Sequence, residues 1–346
     1  MADAPENLAA VLRAPGEIVL ERRPVPEPGP HEVLVAVHAV GICGSDVHYF
    51  EHGRIGDYVV EAPLVLGHES AGVVVGRGAA ALRHALGTRV ALEPGVPCGR
   101  CAQCRRGRYN LCPEIAFFAT PPVDGALATF VAIDEDFAHR LPDTVSDAAG
   151  ALMEPLSVAL WANRRAGVGP GARVAIAGAG PIGVVAPLVA RLAGAGEVVL
   201  SDPLPERRAR AEALGAGRAV DPAAGGLVAG ARDADIFLDC SGAEAAIADG
   251  ITALGPAGVA VLVGMCPAAT VPFPLARIQN RELWVTGTFR YANTYPDAIA
   301  LVASGRIDLD ALVDARFPLE ESRAALVAAR RDPAVLKPLV EVASPR

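Results

Sequence analysis

Cys43, His68 and Glu69 have the side-chain types that a zinc ion selects. They stand in two short runs, Gly41-Ile42-Cys43-Gly44-Ser45-Asp46-Val47-His48 and Gly67-His68-Glu69-Ser70-Ala71-Gly72. Thiolate, imidazole and carboxylate bind Zn2+ together, and three protein ligands with a fourth position open make the catalytic form of such a centre. A packed thiol and a hydrogen-bonded histidine that never meet explain the same residues, since cysteine is often buried for packing alone. The second cluster is more specific: Cys98, Cys101 and Cys104 are separated by two residues each, and Cys112 follows after seven more. Four thiolates so close together complete a zinc tetrahedron, which predicts a structural ion stapling a lobe with little core of its own. A disulfide pair is the other outcome, and the even spacing in a reducing compartment favours zinc.

A third constellation begins at Arg173–Ala177, which reads as a buried strand. Gly178-Ala179-Gly180-Pro181-Ile182-Gly183 follows, then an apolar helix to Leu192 and a strand from Glu197 that ends in Ser201-Asp202. This is the G-x-G-x-x-G dinucleotide fingerprint in its strand–turn–helix context. The glycines let the backbone approach a pyrophosphate at a helix N-terminus, where the amides point outward. Asp202, placed where a carboxylate accepts bonds from ribose hydroxyls, predicts NAD over NADP. Glu154 lies among apolar residues, in Leu152-Met153-Glu154-Pro155-Leu156. A carboxylate there needs a cation or donors nearby, which a metal would supply. A helix-start carboxylate beside Pro155 is the plainer account.

These residues need two kinds of scaffold. Up to about residue 150, short strands (18–21, 32–37, 70–76, 89–92, 129–133) are separated by glycine- and proline-rich turns, which suggests an antiparallel, barrel-like domain. After Arg173, strands and helices alternate through 206–214, 218–220, 235–240, 243–254, 258–264 and 283–289, the pattern of a doubly wound parallel sheet. Val263 and Gly264 fall at the carboxyl end of a strand, the edge at which such sheets bind ligands. Helices are expected at 296–303 and 320–330, and a last strand at 336–342.

The totals exclude much else. A chain of 346 residues is long enough for two domains, and 52% hydrophobic content is ample for packed cores. A net charge of −8 with interspersed signs argues against a nucleic-acid partner. The uncharged run Val174–Ala190 is broken by Gly178, Gly180, Pro181 and Gly183 and is too short to span a membrane. Met1–Ala10 lacks the basic and apolar regions of an export signal, so a cytoplasmic protein is expected. Lys337 is the only lysine, which removes a Gly-Lys-Ser/Thr phosphate loop and a Tyr-x-x-x-Lys pair and leaves little room for a Schiff base.

Taken together, the motifs resemble those of the zinc-dependent medium-chain dehydrogenases, within them the sorbitol (polyol) dehydrogenase group, over nearly the whole chain. The resemblance rests on Gly41–Tyr49, on Gly67-His68-Glu69, on Gly150–Ser157 and on Phe289-Arg290-Tyr291-Ala292-Asn293-Thr294. It implies a GroES-like catalytic domain (1–153 and 292–346) into which a Rossmann NAD-binding domain (154–291) is inserted. It further implies one catalytic and one structural zinc per chain, and oxidation of a polyol to a ketose with NAD. Cys43, His68 and Glu69 would hold the catalytic ion, with Glu154 close by and able to replace Glu69. Ser45 and His48 would relay the proton, or Glu154 with a water. Arg207, Phe289 and Arg290 join the fingerprint, Val263 and Gly264 on the cofactor. Tyr49, Phe117, Thr120, Glu154, Arg290 and Tyr291 would line the substrate pocket, and the family suggests a homodimer or homotetramer. Two alternatives stand beside this: a relative acting on threonine, butanediol or an aldose, and a non-catalytic zinc and dinucleotide redox sensor, which would hold metal only at the cysteine lobe.

Overall fold

A computed structural model describes residues 6–266 and 270–342. Met1–Pro5, part of the stretch read for an export signal, lie outside the described residues. The chain divides into two compact units, Met1–Glu154 with Tyr295–Arg346, and Pro155–Thr294.

The first unit is built on a mostly antiparallel sheet. Its central strand, Glu32–Gly41, pairs with Glu69–Arg77, with Phe130–Asp134 and with Lys337–Glu341. Val33, Val35, Val37 and Val40 of that strand are fully buried, packed with Leu66, Leu92, Leu127 and Ile133. β-Branched side chains suit this setting because they pack well on a pleated, buried surface. The strand Val313–Pro318 was not foreseen. Among the described residues it pairs with Lys337–Glu341 alone, as a parallel edge strand. Its alternate residues are exposed, and its small and charged side chains resemble those of a loop.

The second unit is a six-stranded parallel sheet flanked by helices. Numbered along the unit, its strands Arg173–Ala177, Glu197–Ser201, Arg218–Val220, Ala234–Asp239, Leu254–Leu262 and Trp284–Gly287 lie in the order 3-2-1-4-5-6. Strand order reverses between the first and fourth, which leaves a crevice at their carboxyl ends. Phe237, Ile251, Leu254 and Ala260 centre the core. The fifth strand starts at Leu254, earlier than the expected Gly258, and a register shift between Ala234 and Ile236 sets the four residues Gly255–Gly258 against Asp235 alone. Among the described residues, no helix is long and apolar enough to cross a membrane.

Candidate functional site

The two runs that hold Cys43 and Glu69 leave neighbouring strands side by side. Gly41 pairs with Glu69 across the sheet, and Cys43 follows two residues later as the N-cap of the helix Gly44–His52. The third helical residue, Asp46, turns back: its Oδ2 accepts from the Cys43 amide at 3.0 Å, and its Oδ1 accepts from the Gly67 amide at 2.9 Å. Oδ1 also lies 3.4 Å from His68 Nδ1, which fixes the ring and leaves Nε2 for another partner. One fully buried carboxylate thus ties both runs together. Burial penalises the Asp46 charge, but His68 and the two amides outweigh it and hold its pKa below the usual range. The His68 imidazolium is likewise disfavoured by burial, yet Asp46 and Cys43 lift its pKa well above that of a free histidine.

The metal-ligating atoms of Cys43, His68 and Glu69 all lie within 4.8 Å of one another. Zinc bonds of about 2.0–2.3 Å can satisfy all three from one point, so the donor set fits the ion. Glu69 is 1% exposed, and its Oε2 accepts no aligned hydrogen bond. Glu154, 5% exposed in the first turn of the helix Met153–Ala166, stands outside that trio. Phe117 packs its ring 5.8 Å from that of His68, while Tyr49 belongs to the core of the unit. Thr120 is half-buried, and its amide bonds the Phe117 carbonyl at 3.1 Å. Ser45 and His48 are three residues apart on one helix, Ser45 half-buried and His48 exposed. Partial burial and then His52 hold the His48 pKa below the ordinary value.

Cys98, Cys101, Cys104 and Cys112 bring their sulfurs within 4.8 Å of one another, with Cys101 and Cys104 at 3.4 Å. A zinc tetrahedron with Zn–S near 2.3 Å has edges of about 3.8 Å, so this set fits a closed structural ion. Nothing is buried in the one-turn helix Ala102–Arg105, so the lobe has no core there to hold it. The amides of Cys104 and Gln103 help to lower Cys101 to about 7, whereas desolvation and neighbouring thiols push Cys104 up to about 12. The lobe is moored by Tyr109, which donates to the buried Glu93 at 2.6 Å, and Glu93 in turn meets His139 at 2.8 Å. Replacing Cys101 and Cys104 by serine is expected to lower Tm by roughly 10 °C. Activity below the transition should fall far less than stability. A melting curve unchanged by the double substitution would remove the stapling role.

In the second unit the glycine loop sits at the strand crossover. Gly178 has φ +92°, and a Cβ there would come within 3.2 Å of the Cys240 backbone. A Cβ on Gly183 would lie 1.8 Å from the Gly178 carbonyl, so only glycine lets this helix start so close to the strand. Around Gly180 there is open space, beside a cavity of about 600 Å³ lined by Gly178, Gly180, Asp202, Arg207 and Ser241. Pro181 and Ile182 open the helix Pro181–Leu192, whose N-cap is Gly180. Asp202, 4% exposed, accepts from the amides of Ala179 and Leu204 at 2.8 and 2.9 Å. Arg207 Nε is buried without a hydrogen-bond partner. Val263 and Gly264 follow the fifth strand, and both amides donate to the Asp239 carbonyl at 2.9 Å. The cavity, the open ground at Gly180 and the orphaned Arg207 nitrogen fit a dinucleotide. Phe289, Arg290 and Tyr291 lie in this unit, with the Arg290 guanidinium 4.8 Å from the Phe289 ring centre.

The chain is 45% identical to sorbitol dehydrogenase of Rattus norvegicus over 335 residues, covering 94% of this chain and 93% of that one. It belongs to the sorbitol dehydrogenase group of the zinc-dependent medium-chain dehydrogenases. Within it, residues 29–143 match the alcohol dehydrogenase GroES-like domain and residues 181–304 the zinc-binding dehydrogenase domain. Solved structures agree. An Escherichia coli oxidoreductase/dehydrogenase of unknown specificity superposes with a TM-score of 0.93 at 34% identity, covering 98% of this chain and all of that one. L-Idonate 5-dehydrogenase of Escherichia coli gives 0.89 at 27% identity over 97% and 98%. A member of this family is an oxidoreductase that works with zinc and a nicotinamide dinucleotide.

Two residues beside this candidate metal site carry little signal in the sequence. Asp46 had a signal, because an acid three residues after an N-cap marks a capping box. Lys337 had only its rarity. It is 1% exposed, and its Nζ lies 2.6 and 2.5 Å from the two oxygens of Glu69 and donates to the Ile42 carbonyl at 2.9 Å. Burial works against the ammonium, but Glu69, Cys43 and Glu154 hold its pKa above the ordinary lysine value.

Proposed function

We propose that this dehydrogenase oxidises a secondary alcohol of a polyol such as sorbitol or xylitol to a ketose, with NAD taking the hydride. The observation that carries this is the convergence of Cys43, His68 and Glu69, oriented by Asp46, in a chain 45% identical to a sorbitol dehydrogenase. Bound at those three residues, zinc supplies a Lewis acid of the kind that lowers the pKa of water from about 15.7 to about 7, and the dinucleotide supplies the hydride acceptor. The chain does the rest. Cys43, His68 and Glu69 hold the metal, and Glu154 accepts a hydrogen bond from a water or substrate hydroxyl beside it.

Ser45 takes up the alcohol proton and His48 passes it to solvent, a role suited to an exposed imidazole that is neutral at pH 7. With the dinucleotide bound, the hydrogen on the hydroxyl-bearing carbon would leave with its electron pair for the nicotinamide, so the sum is alcohol plus NAD+ to ketone, NADH and one proton. In the first unit Phe117 and Thr120 would flank the substrate, and the family resemblance adds Tyr49, Arg290 and Tyr291 as residues for its remaining hydroxyls. Gly178, Gly180, Pro181, Ile182, Gly183, Arg207, Val263, Gly264, Phe289 and Arg290 hold the cofactor. Asp202 binds its ribose and repels a 2′-phosphate, the basis for preferring NAD.

The domain assignment that goes with this function is a catalytic domain of 1–153 and 292–346 and a cofactor domain of 154–291, in a cytoplasmic homodimer or homotetramer. An exposed apolar side chain at an unpaired sheet edge supports the oligomer: Trp284, 74% exposed, lies on the terminal strand of the parallel sheet. Molar mass in solution tests it.

The deciding assay is a panel of sorbitol, xylitol, 2,3-butanediol, threonine and an aldose with NAD and with NADP, following absorbance of the reduced cofactor. The polyols are expected to show the highest kcat/KM, with NAD preferred by about 10-fold or more. A preference for threonine, butanediol or the aldose by the same margin would replace the substrate assignment.

A further inference from the structure

Lys337 is the chain's only lysine, and it is spent in the interior beside a metal-ligand candidate. Burying an ammonium is costly unless it is paired and its protons are bonded. Here the pairing comes from strand register. Lys337–Glu341 runs antiparallel to Glu32–Gly41 with Leu339 opposite Gly41, and the Ile42 amide donates to the Pro338 carbonyl at 3.0 Å. Gly41 is in turn opposite Glu69 on its other neighbour. Lys337 is therefore delivered to the Glu69 carboxylate by backbone pairing on both sides, and Nζ meets both oxygens, at 2.6 and 2.5 Å.

We propose that Lys337 is a positioning residue that keeps Glu69 a weak, releasable ligand of the catalytic zinc. The proposal rests on the assignment of Cys43, His68 and Glu69 as ligands made above. Two physical effects act in the same direction. A carboxylate that is hydrogen-bonded to a cation has less electron density to offer a metal, and a fixed positive charge beside the site repels a divalent ion. Glu69 is thus shared between two cations, and a small shift toward Lys337 opens a coordination position. An ordinary structural salt bridge would instead hold the ligand set together and make the metal harder to lose.

The measurement is the rate at which a chromogenic chelator removes zinc from the holoenzyme. Cys43→Ser, retaining only the cysteine-lobe metal, identifies which phase belongs to which site. In Lys337→Met the catalytic-site phase is expected to slow by about 10-fold, while Lys337→Arg, which keeps the charge, stays near wild type. The cysteine-lobe phase should not move in either variant. An unchanged or faster catalytic phase in Lys337→Met overturns the proposal and leaves Lys337 a structural residue. Should Lys337→Met fail to fold, Lys337→Gln retains a donor for the Ile42 carbonyl without the charge and is read by the same criterion. If Cys43→Ser loses no zinc at all, the ligand assignment itself has failed, a result distinct from a catalytic phase that is present but insensitive to Lys337.

Discussion

Cys43→Ser is expected to yield a folded protein with roughly one zinc per chain where wild type holds roughly two, and with kcat/KM lowered by about four orders of magnitude or more. Four orders correspond to about 5.5 kcal/mol of transition-state stabilisation, a sum within reach of losing the Lewis acid altogether. Serine keeps the shape of the side chain but offers a neutral hydroxyl, a poor zinc ligand beside a thiolate. The fold should survive because Cys43 is only half-buried and the capping contact comes from Asp46 to its backbone amide, which serine retains. Metal analysis and thermal melting of the same preparation check all three parts. Retained turnover, or a second zinc still in place, would show that the site is elsewhere.

Gly41→Ala should be damaging too, on a smaller scale, although Gly41 touches no substrate. A Cβ at this position would stand 2.1 Å from Glu69 Oε2 and 3.1 Å from a Leu152 methyl group. The strand cannot move aside, since it pairs with Glu69–Arg77 on one side and Lys337–Glu341 on the other. The carboxylate must give way instead, and a displaced ligand should cost about 100-fold in zinc affinity, with activity falling in parallel. Gly44→Ala is the matched control, because a Cβ there meets nothing within 4 Å. A competition titration against a chelator separates the two variants. Equal affinities would mean that Glu69 is dispensable to the metal.

The legible parts of this dehydrogenase were those whose members are close in the chain. Cys98 to Cys112 span fifteen residues, and their spacing alone delivers four sulfurs to one point. The glycine fingerprint joins a strand to the helix that follows it, so Gly178, Gly180 and Gly183 could be assigned from the order of elements. Hydrophobic periodicity marked most strands of both sheets where they are buried, but not Ala138–Arg140, and it passed over the buried strand Asn7–Ala14. It missed Val313–Pro318, whose one-sided pairing leaves polar residues as prominent as apolar ones.

For the metal site, by contrast, the sequence could name donors but not bring them together. Cys43 and His68 had the right chemistry, and a packed thiol beside a bonded histidine explained them equally well. What tells against a thiol and a histidine that never meet is that the donor atoms of Cys43, His68 and Glu69 lie within 4.8 Å of one another, with Asp46 bonding the Cys43 and Gly67 amides and His68 at once. Lys337 lies 268 residues from Glu69, and no periodicity or spacing links them. Their contact depends on the register of strands flanking Gly41, where a slip of one residue would turn every side chain to the other face. Local motifs therefore determined the class of chemistry, and long-range strand pairing decided which charged group sits against Glu69.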